Sequence, residues 1–169
     1  MSLQGRVAIV TGAGRGIGRA IAHVLAEKGA AIVVAEIIAE NAESTAREIR
    51  EKGGRAEAIV ADATRPEAAQ EVVKHTLTAF GRVDILVNNV GWDEPKPFIQ
   101  TTPELWEKVL DINLRSVLNY TRAALDPMIA NRWGRIVSIA SDAGRMGGIY
   151  AAVYSAAKAG IIAFSKTIA

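Results

Sequence analysis

Two rhythms of apolar residues alternate along this chain. Short, mostly aliphatic runs stand at Arg6 to Thr11, Ala31 to Ala35, Ala56 to Ala61, Val83 to Val87 and Arg135 to Ile139, the second of them continuous. Between them apolar positions recur every three or four residues, the helical period. Gly16 to Lys28 gathers Ile17, Ile21, Val24 and Leu25 on one face and stops at Gly29. Ile38 to Lys52 turns Ala42, Ala46 and Ile49 inward and closes at Gly53-Gly54. A third helix opens near Pro66, where a missing N–H costs least; Val73, Leu77 and Phe80 line it and Gly81 ends it. A Pro-rich loop from Gly91 to Thr102 leads into one long helix running to about Asn131, capped by Thr102 with Pro103 in its first turn. Residues 141–151 read as a loop, and Ala152 onward as a last helix.

Strands apolar on both faces, each followed by a helix, specify a parallel sheet covered on both sides. The predicted class is α/β, a doubly wound parallel sheet in a single domain over residues 1–169. Composition narrows the function. Half the residues are hydrophobic and 22% are charged, which excludes a disordered chain. The 20 Lys and Arg against 18 Asp and Glu leave a net charge of +2 with no basic run, arguing against a nucleic-acid partner. With no Cys and two isolated His, His23 and His75, no metal site is expected. The start of the chain lacks the apolar core of a signal peptide, and no apolar run approaches the roughly 20 residues of a membrane span. The expectation is a soluble, cytoplasmic protein with no membrane partner.

The glycines locate the chemistry. Thr11-Gly12-Ala13-Gly14-Arg15-Gly16-Ile17-Gly18 lies between the first strand and the first helix. There a dinucleotide pyrophosphate meets free N–H groups and the positive end of the helix dipole, and glycine lets the backbone approach it. Gly12, Gly14, Arg15, Gly16, Ile17 and Gly18 are therefore candidate cofactor contacts. Strand two ends in Glu36, an acid placed to bind the adenosine ribose hydroxyls and to repel a 2′-phosphate, which favours NAD over NADP. Ile37 supplies no cation for such a phosphate. Arg15 pulls the other way, either as a 2′-phosphate ligand or as a solvated loop cation, so NADP stays open.

Tyr154-Ser155-Ala156-Ala157-Lys158 opens the last helix, with Tyr154 and Lys158 one turn apart on one face. A phenol titrating near 10 is a poor proton carrier at neutral pH; an adjacent ammonium lowers that value. Ser141, just past strand five, sits at the carboxyl edge where ligands of parallel sheets bind. There it can hydrogen-bond a substrate carbonyl oxygen.

These motifs, in this order, resemble the short-chain dehydrogenase/reductase family: Thr11-Gly12-x-x-x-Gly16-x-Gly18, Asn88-Asn89-Val90-Gly91, Asn113, Ser141 and Tyr154-x-x-x-Lys158. The resemblance spans essentially the whole chain and implies a Rossmann fold and a nicotinamide cofactor. It implies Tyr154 as general acid/base, Ser141 as orienter of the substrate oxygen, and Lys158 as holder of the nicotinamide ribose and tuner of Tyr154. It also implies Asn113 as anchor of a relay water, Asp62 and Ala63 as adenine contacts, Asn88 as a brace, and Asn89, Val90 and Gly91 beside the cofactor. Val90 departs from the family's usual Ala. Family members continue past Ala169 through two more strands, a nicotinamide-contacting Pro-Gly loop and a substrate-covering segment. The expected chain is thus C-terminally truncated relative to the family, and an inactive nucleotide-binding fragment is one reading of it. Helix pairing across two-fold axes implies a homo-oligomer, a tetramer in full-length form.

Substrate clues are fewer. Asn88-Asn89-Val90-Gly91-Trp92-Asp93, with Lys96-Pro97-Phe98 beyond, is similar to the 2-hydroxycyclohexanecarboxyl-CoA dehydrogenases of this family. By that likeness Trp92 packs on an alicyclic ring and Lys96 attracts CoA phosphates, beside Ser141. Alternatively Trp92 seals its loop and Lys96 is a surface cation. The favoured function is oxidation of a β-hydroxyacyl-CoA with NAD; 3-oxoacyl-[acyl-carrier-protein] reduction with NADPH is the alternative.

Overall fold

The computed structural model describes residues 2–169. Five parallel strands form one sheet, β1 (Val7–Thr11), β2 (Ala31–Glu36), β3 (Arg55–Val60), β4 (Ile85–Asn88) and β5 (Arg135–Ser138), in the order β3-β2-β1-β4-β5. The chain winds outward from β1 to β3, returns to β4 on the other side of β1, and winds on to β5. The reversal opens a crevice at the carboxyl ends of β1 and β4.

Side-chain alternation along the central strands feeds two cores. Ala8 and Val10 of β1, Ile32 and Val34 of β2, and Ile85 and Val87 of β4 meet α1 (Gly16–Glu27) and α2 (Ala39–Glu51). Ile9, Val33, Ala35 and Leu86 face the other way, onto α3 (Pro66–Phe80) and α5 (Ser116–Ala130). The expected double-sided burial holds for β1, β2 and β4. The outer strands β3 and β5 are partly exposed, because each has a neighbour on one side only.

Four local expectations change. In α1 Ile21 and Leu25 pack against the core as expected, but the fully buried positions are Gly18 and Ala22 and Ile17 and Val24 face solvent, because the helix lies too close to the sheet at Gly18 for a large side chain. In α3, Ala69, Val72, Val73 and Thr76 are buried and Leu77 is at the surface. The long helix is α4 (Pro103–Leu110), a π-type turn over Asp111–Arg115, and then α5. The stretch read as loop after β5 holds a short helix, α6 (Ala143–Met146), before α7 (Ala152–Thr167). Among the described residues, no helix is long and apolar enough to cross a membrane.

The end of the sheet away from the crevice is held by Asp84, which is fully buried. Its carboxylate accepts hydrogen bonds from the Val7 amide at 3.0 Å, from Arg6 at 3.0 Å and from two nitrogens of Arg82 at 2.6 Å each. Arg6 in turn lies 3.8 Å over the ring of Trp133. Burial pushes the Asp84 pKa up, but the bonds from Arg82, Val7 and Arg6 outweigh it and hold the group below the ordinary carboxylate range. A folded-state pKa below the unfolded one stabilises the protein above the unfolded value, near pH 4, and that stability is lost as pH falls through the folded value. Asp84→Ala leaves the amide and two guanidinium groups without their partner, with an expected cost of about 3 kcal/mol at pH 7. Urea denaturation at pH 7 and below pH 4 checks this: the gap between variant and parent should narrow in acid.

Candidate functional site

The glycine loop is fastened to the sheet by side chains from β1 and from the end of β4. Thr11 Oγ1 accepts from the Asn89 amide at 3.0 Å and the Val90 amide at 3.3 Å. The Asn89 side-chain amide donates to the Thr11 carbonyl at 3.0 Å and the Gly12 carbonyl at 3.2 Å. Helix α1 then passes so close that a methyl at Gly18 would lie inside the Gly12 carbonyl and 2.5 Å from Asn89 Nδ2. Gly12 and Gly16 have φ of 60° and 55°, where a side chain is strained. Gly14 is hemmed in by Glu36 and Asn41.

Beside this loop lies a cleft of about 620 Å³. It brings together Gly12, Arg15, Gly16, Ile17, Glu36, Asp62, Ala63, Asn89, Val90 and Gly91, all singled out from the sequence, with Ile37, Ala61, Thr64 and Ile112. Gly14 and Gly18 stand behind it as the packing partners of Glu36 and Gly12. Backbone amides at a helix N-terminus, glycines that a side chain would fill and an acid at one end fit a dinucleotide in chemistry and in size. Asp62 Oδ1 is occupied by the Thr64 amide and hydroxyl, at 2.9 and 2.8 Å, which leaves Oδ2 as the oxygen open to a ligand. Asn119 of α5 fixes this corner by donating to the carbonyls of Ala63 and Thr64.

Glu36 is buried and does more than present a charge. Oε2 accepts from the Gly14 amide at 3.1 Å, and Oε1 accepts from the amides of Ile37 and Ile38 at 3.0 and 3.2 Å. A carboxylate has about four acceptor positions. Three are taken, so one remains for a ribose hydroxyl in this arrangement, fewer than the two-hydroxyl grip expected from the sequence.

The second half of the site is built around α7. Lys158 is buried and donates to the Ile139 carbonyl at 2.8 Å; its ammonium stands 5.5 Å from the centre of the Tyr154 ring. Burial pulls the Lys158 pKa below the ordinary lysine value. Ser141 and Tyr154 are half-buried, at the two ends of the segment containing α6. Gly144 of α6 touches the α7 backbone, where an added methyl would come within 2.6 Å of the Lys158 carbonyl carbon. Ser155 Oγ accepts from the Gly148 amide at 3.0 Å. These contacts hold the Ser141 loop against the Tyr154–Lys158 helix.

Asn113 sits in the π-type turn and is fully buried. Its amide donates to the carbonyls of Trp92 and Val109, at 2.6 and 2.8 Å, and its Oδ1 accepts from the Trp92 amide at 3.2 Å. Both amide hydrogens are thus used, which leaves Asn113 only acceptor oxygens for a relay water. Gly91 lies between: a methyl there would be 3.2 Å from Asn113 Oδ1 and 3.4 Å from Lys158 Nζ.

The two substrate-side candidates are engaged inside the protein. The Lys108 ammonium stands 4.0 Å over the Trp92 ring. Lys96 is ion-paired with Glu94, an exposed carboxylate whose pKa that lysine lowers. The loop carrying them includes a 3₁₀ turn at Phe98–Gln100, with Phe98 stacked on Trp106. Asp93 beside them is partly desolvated, which raises its pKa. Asn119, Gly144 and Ser155 are structural parts of the site to which the sequence pattern assigns no role, and Thr11, named there as the head of the glycine motif, is the acceptor that fastens it. Gly144, three residues past Ser141, carried the clearest signal.

The family model for short chain dehydrogenase matches residues 6–169, and the chain belongs to this family. It is 38% identical over 169 residues to the 3-oxoacyl-[acyl-carrier-protein] reductase FabG of Vibrio cholerae serotype O1, covering all of this chain and 68% of the relative. It is also 38% identical over 169 residues to the (2S)-[(R)-hydroxy(phenyl)methyl]succinyl-CoA dehydrogenase subunit BbsD of Thauera aromatica, with the same coverage. A crystal structure assigned to a short-chain alcohol dehydrogenase from Sinorhizobium meliloti 1021 superposes with a TM-score of 0.96 at 34% identity, covering 99% of this chain and 67% of that one. The chain is therefore an oxidoreductase of the short-chain dehydrogenase/reductase family, of Rossmann fold and with a nicotinamide cofactor, and it spans about two thirds of the length of these relatives.

Gly18→Ala tests the closest approach in the site. The methyl forces α1 away from the Gly12 carbonyl, and reduced-nicotinamide binding followed by fluorescence should weaken by tenfold or more, about 1.4 kcal/mol.

Proposed function

We propose that the chain forms the dinucleotide-binding and catalytic part of an NAD-dependent dehydrogenase that acts on the secondary alcohol of a β-hydroxyacyl thioester, with 2-hydroxycyclohexanecarboxyl-CoA the favoured case. The observation that carries the reaction class is the joining of Ser141, Tyr154 and Lys158 to the dinucleotide cleft through Gly91, Asn113 and the Lys158–Ile139 bond. A nicotinamide cofactor held in this cleft would supply hydride transfer to and from the carbinol carbon. In oxidation the O–H proton passes to the Tyr154 oxygen while the carbinol C–H leaves as hydride. Lys158, with two of its three N–H groups beyond the Ile139 bond, would hold the nicotinamide ribose and stabilise charge forming on the Tyr154 oxygen. Ser141 donates to the substrate oxygen, and Asn113 receives the relayed proton's water on an oxygen.

Two features support NAD. Glu36 lines the cleft at the end of β2, where its charge would oppose an adenosine 2′-phosphate, and the neighbouring Ile37 is exposed and apolar. Arg15 borders the same cleft and keeps NADPH as the alternative, with 3-oxoacyl-[acyl-carrier-protein] reduction as the matching activity, as in the Vibrio relative's name. The name of the Thauera relative, a CoA dehydrogenase subunit, supports a CoA thioester. Lys96, neutralised by Glu94, is a weaker recruit for CoA phosphates than a free lysine. Leu118 and Ile129 leave an apolar stripe exposed on α5, which supports assembly into a homo-oligomer, a tetramer by family likeness; a monodisperse monomer in light scattering would count against it.

A panel of β-hydroxyacyl thioesters assayed with NAD and with NADP tests the reading as a whole; turnover only with NADPH and 3-oxoacyl carrier-protein substrates would replace it. Tyr154→Phe should lower kcat by about 10² or more while nucleotide affinity stays unchanged. NAD should bind about tenfold or more tighter than NADP, since like charges oppose the latter. Glu36→Ala should narrow that gap and also weaken NAD itself, because three backbone amides lose their acceptor.

A further inference from the structure

Tyr150 has a φ of 60°, in the left-handed region where a side chain is strained. Nothing inside the protein requires an aromatic residue there. Its carbonyl accepts from the Lys96 amide at 2.8 Å, tying the segment before α7 to the loop after β4, but any residue could make that bond, glycine with less strain. Three residues earlier the chain does use glycine for the same purpose, at Gly147 with φ 79°. Nor is the ring buried as a core packer: Tyr150 is 59% exposed.

Its position supplies what burial does not. Tyr150 lies between Ser141 and Tyr154, four residues before the latter and just ahead of α7, and borders a narrow cleft with Asp93, Glu94 and Trp106. Ile149 and Met146 of the same segment are 86% and 81% exposed, so a short apolar stretch with a phenol at its end faces outward beside the catalytic edge. We infer that Tyr150 is a specificity-determining residue, whose ring forms a wall against which a bulky apolar acyl group, alicyclic or aromatic, packs when the carbinol is held by Ser141 and Tyr154. The strained backbone aims the ring, and the Lys96–Tyr150 bond keeps that wall attached to the Trp92 loop. The inference rests on the β-hydroxyacyl thioester reading and specifies its acyl part.

The test compares Tyr150→Gly and Tyr150→Phe with the parent protein on two thioesters, 2-hydroxycyclohexanecarboxyl-CoA and 3-hydroxybutyryl-CoA. Calorimetry with cyclohexanecarboxyl-CoA, which lacks the reacting hydroxyl, supplies a readout independent of turnover. For the Gly variant KM for the ring substrate should rise about tenfold, the scale of losing apolar pocket contacts. Its kcat and both constants for the short substrate should stay within about twofold, a difference too small to reflect a lost apolar contact. Analogue affinity should fall with the ring-substrate KM, and the Phe variant should retain parental values. The melting temperature of the Gly variant should not fall, because the strain is relieved. Equal losses on both substrates, no loss on either, or failure of Phe to restore the ring preference would overturn the assignment. If no thioester is turned over, the reaction reading fails by itself. The calorimetric arm still decides: analogue affinity that depends on Tyr150 sustains the wall, and affinity that is absent or indifferent to Tyr150→Gly removes it.

Discussion

The whole site depends on one close approach, that of helix α1 to the carbonyl of Gly12. Only a hydrogen atom fits at Gly18, and the Asn89 amide reaches in from β4 to satisfy the carbonyls of Thr11 and Gly12. Because β1 and β4 are adjacent in the sheet, the same asparagine couples the phosphate-binding turn to the strand that leads into Gly91 and Trp92. Loop, helix dipole and crevice are therefore a single rigid unit. A dinucleotide meets a loop already fixed in place, its Gly12 and Gly14 amides bonded to the Ala35 carbonyl and to Glu36, so little ordering accompanies binding.

A second coupling brings the chemistry to that unit. Lys158 and Asn113 come from different elements, α7 and the turn after α4, and both approach Gly91, which leaves room for them. Gly144 does the same for the Ser141 segment and α7. Glycines thus serve the site in two ways: some supply an unusual backbone angle, and others, Gly18, Gly91 and Gly144, leave out a side chain where two elements touch.

Much of this was legible in the residues. The central strands declare themselves as unbroken aliphatic runs, α2 by Ala42, Ala46 and Ile49, and the crevice by the glycine cluster after β1. What escaped has physical reasons. In α1 hydrophobicity finds Ile21 and Leu25 but also points to Ile17 and Val24, which face solvent, because the limiting quantity there is space, which favours Gly18 and Ala22. Lys96 and Trp92 read as free recognition groups because their partners, Glu94 and Lys108, are set by loop folding, which periodicity does not report. Glu36 was recognised as a charge at the right strand end, but its role as acceptor for three backbone amides depends on loop geometry.

The π-type turn at Asp111–Arg115 gives the long helical stretch an unusual intolerance of length change. Residues on a regular helix are spaced by about 100° of rotation, since 3.6 of them complete a turn. A wide turn carries one residue more than a regular helix would need, and the buried amide of Asn113 clasps Trp92 and Val109 at that place. Deleting one residue between 111 and 115 would let the segment relax into continuous α-helix. Everything downstream would then swing by about that angle, carrying Tyr120, Ala124 and Met128 off the sheet. The stretch joining α4 to α5 cannot lose a single link without unseating the far layer of the fold.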